Sequence, residues 1–370
     1  MVSGGDPAAV VLWGGLAIGL AFGAIAGKTN FCTMGALSDV VNMGHWGRLR
    51  MWLLAIAVAM LGTGWLQYAG LIDLGKSIYV RPALPWLSLL LGGALFGIGM
   101  TLAGGCANKN LVRLGGGSVR SLVVLVFVGL AAYMTLKGLF GQWRATLLDP
   151  VVVDLGSLGL KDATLGALLS RATGMAAKPA ALAAATVAGL VLLGFTLKDK
   201  RFRANLPQVL GGLALGGLVV AAWYVSGHLG YGENPETLET VYFATNSRTI
   251  ESLSFVAPVA YGLELLMLWT DKSLHASFGI AALVGVVLGS LAHALAARTF
   301  CWEGFASLAD LRNQIAGALL MGFGGVTAMG CTVGQGMTGV STLALGSLIA
   351  VSGIVAGAVA TMKLMIWREG

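Results

Sequence analysis

Charge is what this 370-residue chain has least of. Only 11% of its residues are charged, against about 25% in an ordinary soluble domain. Twenty-three Lys and Arg with sixteen Asp and Glu are too few to cover a water-exposed surface, which leaves lipid as the solvent for much of it. That excludes a disordered chain and a soluble enzyme of ordinary composition. The basic residues are scattered through short loops, so the net charge of +7 is not a nucleic-acid signal. Four cysteines are too few for a disulfide scaffold. The four histidines, His45, His228, His275 and His293, have no ligand spacing, and no metal site is expected. No G-x-x-x-x-G-K-[ST] motif occurs, so any ATP drive must come from a partner. Period-2 alternation is missing, which argues against an outer-membrane barrel. The first apolar run lacks a basic n-region and is too long for a removable signal peptide.

Apolar residues make up 57% of the chain and the mean hydropathy is +0.84. About ten segments reach or approach the ~20 apolar residues of a spanning helix: 8–27, 51–70, 84–103, 118–139, 179–197, 206–226, 253–269, 278–297, 312–329 and 342–362. The densest basic loop, Lys198 to Arg203, is assigned to the cytoplasm, with Lys28, Arg48, Arg50, Lys109 and Arg113 on the same side. The loop carrying Glu233, Glu236, Glu239 and Glu251 then falls outside, as does the N-terminus. Lys363 and Arg368 place the C-terminus inside. That parity fails if all ten segments cross, so one is expected to be broken or re-entrant. The Gly- and Thr-rich stretch around 298–331 is the leading candidate. The expected fold is an all-α polytopic membrane protein of about nine spanning helices plus short broken ones. The segments 140–178, with Asp149, Asp154, Lys161 and Asp162, and 227–252 read as connections. Trp46, Trp52, Trp65, Trp86, Trp302 and Trp367 sit near segment ends, as interface anchors do.

Glycine is abundant: 56 residues, roughly 15% against the usual ~7%. Gly15, Gly19, Gly23 and Gly27 line one helix face, a pattern for close helix packing in lipid. His293 and Glu264 are ionisable groups inside apolar segments. A helix contact accounts better for His293, and a polar partner on a neighbouring helix is expected for Glu264.

All four cysteines fall in repeated blocks. GALFGIGMTLAGGC (93–106) matches ALLMGFGGVTAMGC (318–331), and Asn30-Phe31-Cys32 matches Thr299-Phe300-Cys301, each followed by a Leu-small-Asp. The chain is therefore read as one transport domain, 1–370, with pseudo-repeat halves at about 8–139 and 253–362 and a connecting region 140–252. Such repeats are common in transporters, with the site where the halves meet. Gly105 and Gly330 permit bends beside Cys106 and Cys331. Thr33, Asn108, Lys109, Thr332, Gly334 and Gln335 add polar or backbone groups, and broken helix ends offer positive N-termini. This suits a small anion. Buried thiols resist ionisation and offer a weak donor on a polarizable sulfur, a match for a soft sulfur species. No two cysteines lie closer than 30 positions in sequence, which weakens a redox reading.

Asn30-Phe31-Cys32-Thr33, Gly104-Gly105-Cys106-Ala107 and Gly330-Cys331-Thr332-Val333-Gly334 resemble the motifs of the YeeE/YedE family of sulfur-transport membrane proteins. The resemblance implies a non-enzymatic, cofactor-free thiosulfate uptake protein of the bacterial inner membrane. It implies an hourglass-like fold with two pseudo-symmetric halves. Cys32, Cys106 and Cys331 would pass thiosulfate along by transient S–H hydrogen bonds, with Cys301 a weaker candidate. A small cytoplasmic sulfur carrier of the SirA/TusA type is the implied partner. The expected order places Cys106 first from outside, although the loop assignment puts it toward the inside. The alternatives are a transporter of another sulfur or selenium species, a membrane thiol oxidoreductase and an assembly subunit.

Overall fold

A computed structural model describes residues 6–369 apart from 158, 161, 234–237 and 306; Lys161, Glu236 and the side chain of Arg368 thus lie outside the described residues. The chain is helical almost throughout. The helices are α1 (Pro7–Thr29), α2 (Thr33–Met43), α3 (Gly47–Tyr68), α4 (Trp86–Leu102), α5 (Ala107–Gly115), α6 (Val119–Lys137), α7 (Leu139–Trp143) and α8 (Leu165–Thr173). They continue with α9 (Ala177–Leu197), α10 (Lys200–Ala204), α11 (Leu206–Tyr224), α12 (Val256–Met267), α13 (Phe278–Ala296), α14 (Leu308–Thr327) and α15 (Leu345–Glu369). Two short antiparallel pairs join β1 (Ala83–Leu84) to β2 (Val153–Asp154) and β3 (Tyr231–Glu233) to β4 (Thr240–Tyr242).

Among the described residues, eight stretches are long and apolar enough to cross a membrane, containing α1, α3, α4, α6, α9, α11, α13 and α15. α14 is the ninth long helix, with 20 residues and two charged side chains, Asp310 and Arg312, in its first turns. The protein is a polytopic all-α membrane protein. The segment expected at 253–269 is the one that does not run full length. It becomes α12, a 12-residue helix that starts in the interior at Phe255, against Phe22 in the middle of α1, and ends where Glu264 meets Lys137 at the end of α6. The break expected near 298–331 does occur, but only after α14 is complete.

Packing rests on the missing side chains of glycine. A Cβ at Gly19 or Gly23 of α1 would stand 2.1 Å from the Ala282 or Val286 carbonyl oxygen of α13. Gly285 and Gly289 return the contact against Leu16 and Leu20. With no hydrophobic drive between helices in lipid, such close backbone approach supplies the dispersion contacts that hold them. α4 and α15 use the same device, with Gly93 and Gly97 against Ala350 and Ile354, and Gly353 and Gly357 against Leu90 and Ala94.

The pairings obey an inversion. α1 packs on α13 as α11 packs on α3, and α4 on α15 as α14 on α6. α2 packs on α3 and α15, and α12 packs on α13 and α6. α4 and α14 run antiparallel at the centre: Gly99 meets Gly317, and Gly92 meets Gly324. The sequence of α1 to α6 is thus repeated upside down by α11 to α15, with α9 packed outside on α3. The second half begins at α11, not at 253, because α11 is the partner of α3. It follows that the counterpart of Cys32, at the start of α2, is Phe255 at the start of α12. Cys301 instead lies in a connecting loop. The spacings agree: 76 positions from Phe255 to Cys331, and 74 from Cys32 to Cys106.

One end of the bundle is basic. It carries Lys28, Arg48, Arg50, Lys198, Lys200 and Arg201, tied by ion pairs of Arg48 with Asp39 and Arg50 with Asp199. At the opposite end, 140–178 does more than connect. β2 pairs with β1, Ser88 donates to Asp149 at 2.7 Å, and Thr164 bridges to Ala344. Glu264 is buried and bound by Lys137 at 2.5 Å and Tyr133 at 3.3 Å, the partners expected for an ionisable group in lipid. His293 packs beside Gly27 of α1. Trp46, Trp65, Trp86, Trp302 and Trp367 are exposed as interface anchors are, but Trp52 is buried, 6% exposed. It turns inward from α3 onto Gly336.

Candidate functional site

Three helices end in the same way, and each ending delivers a cysteine. α1 closes through Asn30 in the left-handed region (φ 52°), with the Phe31 N–H bonded to the Ala26 carbonyl at 3.2 Å. α4 closes through Gly104 (φ 67°), with Gly105 N–H on Met100 O at 2.8 Å. α14 closes through Met329 (φ 58°), with Gly330 N–H on Gly325 O at 2.8 Å. A left-handed residue followed by this six-to-one bond is the Schellman ending. Two residues beyond the left-handed residue stand Cys32, Cys106 and Cys331 in turn.

Each cysteine then starts a new short element. Cys32 caps α2, its Sγ accepting the Gly35 N–H at 3.3 Å. Cys331 opens a π turn, Gly334–Gly339, and accepts the Gly334 N–H at 3.4 Å. Cys106 starts α5, where the Lys109 N–H faces its sulfur without reaching capping geometry. All three sulfurs therefore sit at positive helix starts, where N–H groups favour a negative ligand. All three are buried: Cys32 6%, Cys106 1% and Cys331 0% exposed.

The cysteines form a series. Cys106 lies within electrostatic range of both Cys32 and Cys331, and beside Thr332. Cys331 faces Tyr79. Cys32 faces Arg48, and Lys109 lies near both Cys32 and Cys106. Lys109 donates to Asn30 Oδ1 at 3.0 Å, and Arg113 to the Gly104 carbonyl at 2.9 Å. From the basic end inward the order is Cys32, Cys106, Cys331. The expected order had Cys106 first from outside. α4 stops level with Gly317, halfway along α14, so the turn that carries Cys106 lies inside the bundle and α5 continues from it.

Two cavities open beyond Cys331 at the end remote from the basic loops. One of about 350 Å³ is walled by Tyr79, Arg81, Arg144, Thr327, Met329, Gln335 and Ser347. The other, about 230 Å³, is walled by Tyr79, Arg144, Glu251, Ser254, Met329 and Gly330. Burial pushes the Glu251 carboxyl above the usual carboxylate range, opposed by the Ser247 hydroxyl and N–H that bind it. Burial also pushes the Tyr79 phenol up, which keeps it a neutral donor.

The residues singled out from sequence largely gather here. Thr33, Asn108, Thr332 and Gln335 are buried beside their cysteines. Gly105 lies under the Lys109 side chain, and Gly330 and Gly334 flank Cys331, in contact with Gln335 and Ser254. The Gln335 amide donates to the Ala328 carbonyl at 2.6 Å. Asn108 Oδ1, Gln335 Oε1 and Ser347 Oγ are buried in this region without a hydrogen-bond partner, and the Thr332 side chain lies against the Cys106 thiol. Cys301 is not part of the group. It is exposed, after a left-handed Arg298, in a loop against Gly116 and Gly117. Its left-handed residue is followed by Phe300 at the second position, so Cys301 falls one residue out of register. Tyr79, Arg81, Arg144, Ser254 and Trp52 carry no motif, and sequence spacing could not have joined them to the site.

One consequence concerns thiol chemistry. In the native detergent-solubilised protein a maleimide should modify one thiol, Cys301, with the other three reacting only after unfolding. Rapid native labelling of more than one thiol, counted by intact mass, contradicts this placement.

The chain matches the sulphur-transport family over residues 28–360. It is 28% identical over 353 residues to the thiosulfate transporter TsuA of Spirochaeta thermophila, covering 92% of this chain and 94% of that protein. It is 26% identical over 336 residues to the thiosulfate transporter TsuA of Escherichia coli, covering 87% and 86%. With helix endings that deliver three cysteines to the centre of a multi-pass membrane bundle, and a match over most of its length, the chain belongs to the sulphur-transport family (YeeE/YedE), a family of transporters and not of enzymes.

Proposed function

We propose that this protein takes up thiosulfate across the bacterial inner membrane. The observation that carries the reading is the series of buried cysteines, each at a positive helix start, between the two cavities and the basic end. The relatives named thiosulfate transporters agree with it. By the excess of Lys and Arg the basic end is cytoplasmic; the N-terminus is then periplasmic, the C-terminus cytoplasmic, and the cavities open outward.

The anion enters the cavities past Arg81 and Arg144. Its terminal sulfur accepts the S–H of Cys331, then of Cys106, then of Cys32. A neutral thiol does not repel the anion. S–H is a weak donor, so each hold is brief, as passage through successive sites requires. The helix starts at Gly35 and Gly334 stabilise the anion's charge where water is excluded. Thr33, Asn108, Thr332 and Gln335 supply polar contacts along the way. Arg48 and Lys109 receive the anion at the cytoplasmic mouth, where a small carrier of the SirA/TusA type would accept sulfur.

Uptake of sulfur-labelled thiosulfate into liposomes holding only this protein tests the reading. Uptake should saturate and resist competition by sulfate. No uptake above empty liposomes overturns it. Stronger competition by sulfide or selenium anions would move the substrate to those species.

A further inference from the structure

Trp52 is out of place. It lies close to the start of α3, where a tryptophan in a membrane protein ordinarily faces the interface, yet it is only 6% exposed. It follows Arg48 by one helical turn, so the two share a face, and Arg48 faces Cys32. The far edge of its indole reaches the π turn that begins three residues after Cys331. A Cβ on Gly336 would stand 2.7 Å from Trp52 Cζ2 and 3.7 Å from Cε2, the atom bonded to Nε1. The indole therefore reaches from α3 across the interior to the π turn that follows Cys331.

Its N–H has no partner. Trp52 Nε1 is fully buried and makes no hydrogen bond, although a buried indole N–H ordinarily finds one. Leaving a buried donor unmade is costly, so its persistence here points to a ligand that visits. The Thr332 hydroxyl, four residues before Gly336, lies against the Cys106 thiol, so it stands next to the sulfur that would hold the anion. The chemistry fits an anion with two kinds of ends. Thiols suit a soft terminal sulfur, but sulfonate oxygens are hard acceptors that favour N–H and O–H donors. The cysteines leave that second need unmet.

We propose that Trp52 is a specificity-determining residue whose indole N–H, with the Thr332 hydroxyl, receives the oxygens of the passing anion while the cysteines hold its sulfur. This rests on the thiosulfate reading above.

The test is thiosulfate uptake by proteoliposomes carrying wild type, Trp52→Phe or Trp52→His. Phe keeps an aromatic ring and removes the N–H; His keeps a ring N–H. Trp52→Phe should raise KM about tenfold, with thermal stability in detergent close to wild type, and Trp52→His should recover most of the loss. Equal uptake by wild type and Trp52→Phe overturns the proposal. So does a loss that follows a fall in thermal stability and is not recovered by His, which would make the indole a packing group. Absence of uptake by wild type instead overturns the underlying transport reading.

Discussion

Cys106→Ala should abolish thiosulfate uptake, to below about one-tenth of wild type, with the protein still folded. Cys106 lies within electrostatic range of both Cys32 and Cys331. Its removal leaves a gap between Cys331 and Cys32 with no S–H to bridge it. The thiol is worth little to the fold. It makes no capping hydrogen bond, and the turn is held instead by Asn110, which donates to the Gly105 and Cys106 carbonyls at 3.1 Å each. Cys→Ala at a buried site removes one sulfur's contacts, a loss on the order of 1 kcal/mol. Uptake by liposomes and growth on thiosulfate as sole sulfur source are the two readouts. Cys301→Ala, in the exposed loop, should match wild type in both. Full uptake by well-folded Cys106→Ala removes the relay from consideration. Equal loss in Cys301→Ala would show that exposed thiols matter and that the redox alternative deserves the next experiment.

The second large effect is structural. Gly23→Val should prevent accumulation of folded protein. A Cβ at 23 stands 2.1 Å from the Val286 carbonyl and 2.8 Å from its carbonyl carbon, and both belong to the backbone of α13. No rotamer relieves that contact, so α1 and α13 must part along their whole seam. Overpacking of this kind costs about 3 kcal/mol or more. The separation also removes the neighbours of Gly19, Gly285 and Gly289. Gly217→Ala on α11 is the matched control. No atom lies within 4 Å of a Cβ there, and alanine in a helix interior is favoured over glycine by about 1 kcal/mol. Fluorescence-detected size exclusion after heating reads both. Gly23→Val with a wild-type melting curve would mean that α1 and α13 do not pack as described.

Much of this protein was legible in its residues. Low charge and long apolar runs specify lipid as solvent, because each spanning helix must satisfy its own backbone there. The Gly-Cys blocks marked the turns at which Cys106 and Cys331 follow a Schellman ending, the same ending that precedes Cys32. Glycine spacing on α1 announced a close helix contact, though not its partner.

Other features exist only in three dimensions. The likeness of the Asn30-Phe31-Cys32 and Thr299-Phe300-Cys301 blocks is a likeness of letters. Inversion pairs α2 with α12 instead, so Phe255 stands opposite Cys32. Which apolar segment stops short depended on packing, because α12 is hydrophobic enough to cross but ends where Glu264 meets Lys137. The depth of Cys106 was equally hidden, since α4 stops halfway along α14, beside Gly317, and only that packing shows it. Trp52 reads as an interface anchor by position alone, and only Gly336 across the interior shows otherwise. Composition and local pattern determined solvent, element type and the cysteine turns, because those depend on neighbours in the chain. Partner choice, burial and the lining of the path were decided by the fold, because they depend on residues as distant as Trp52 and Gly336.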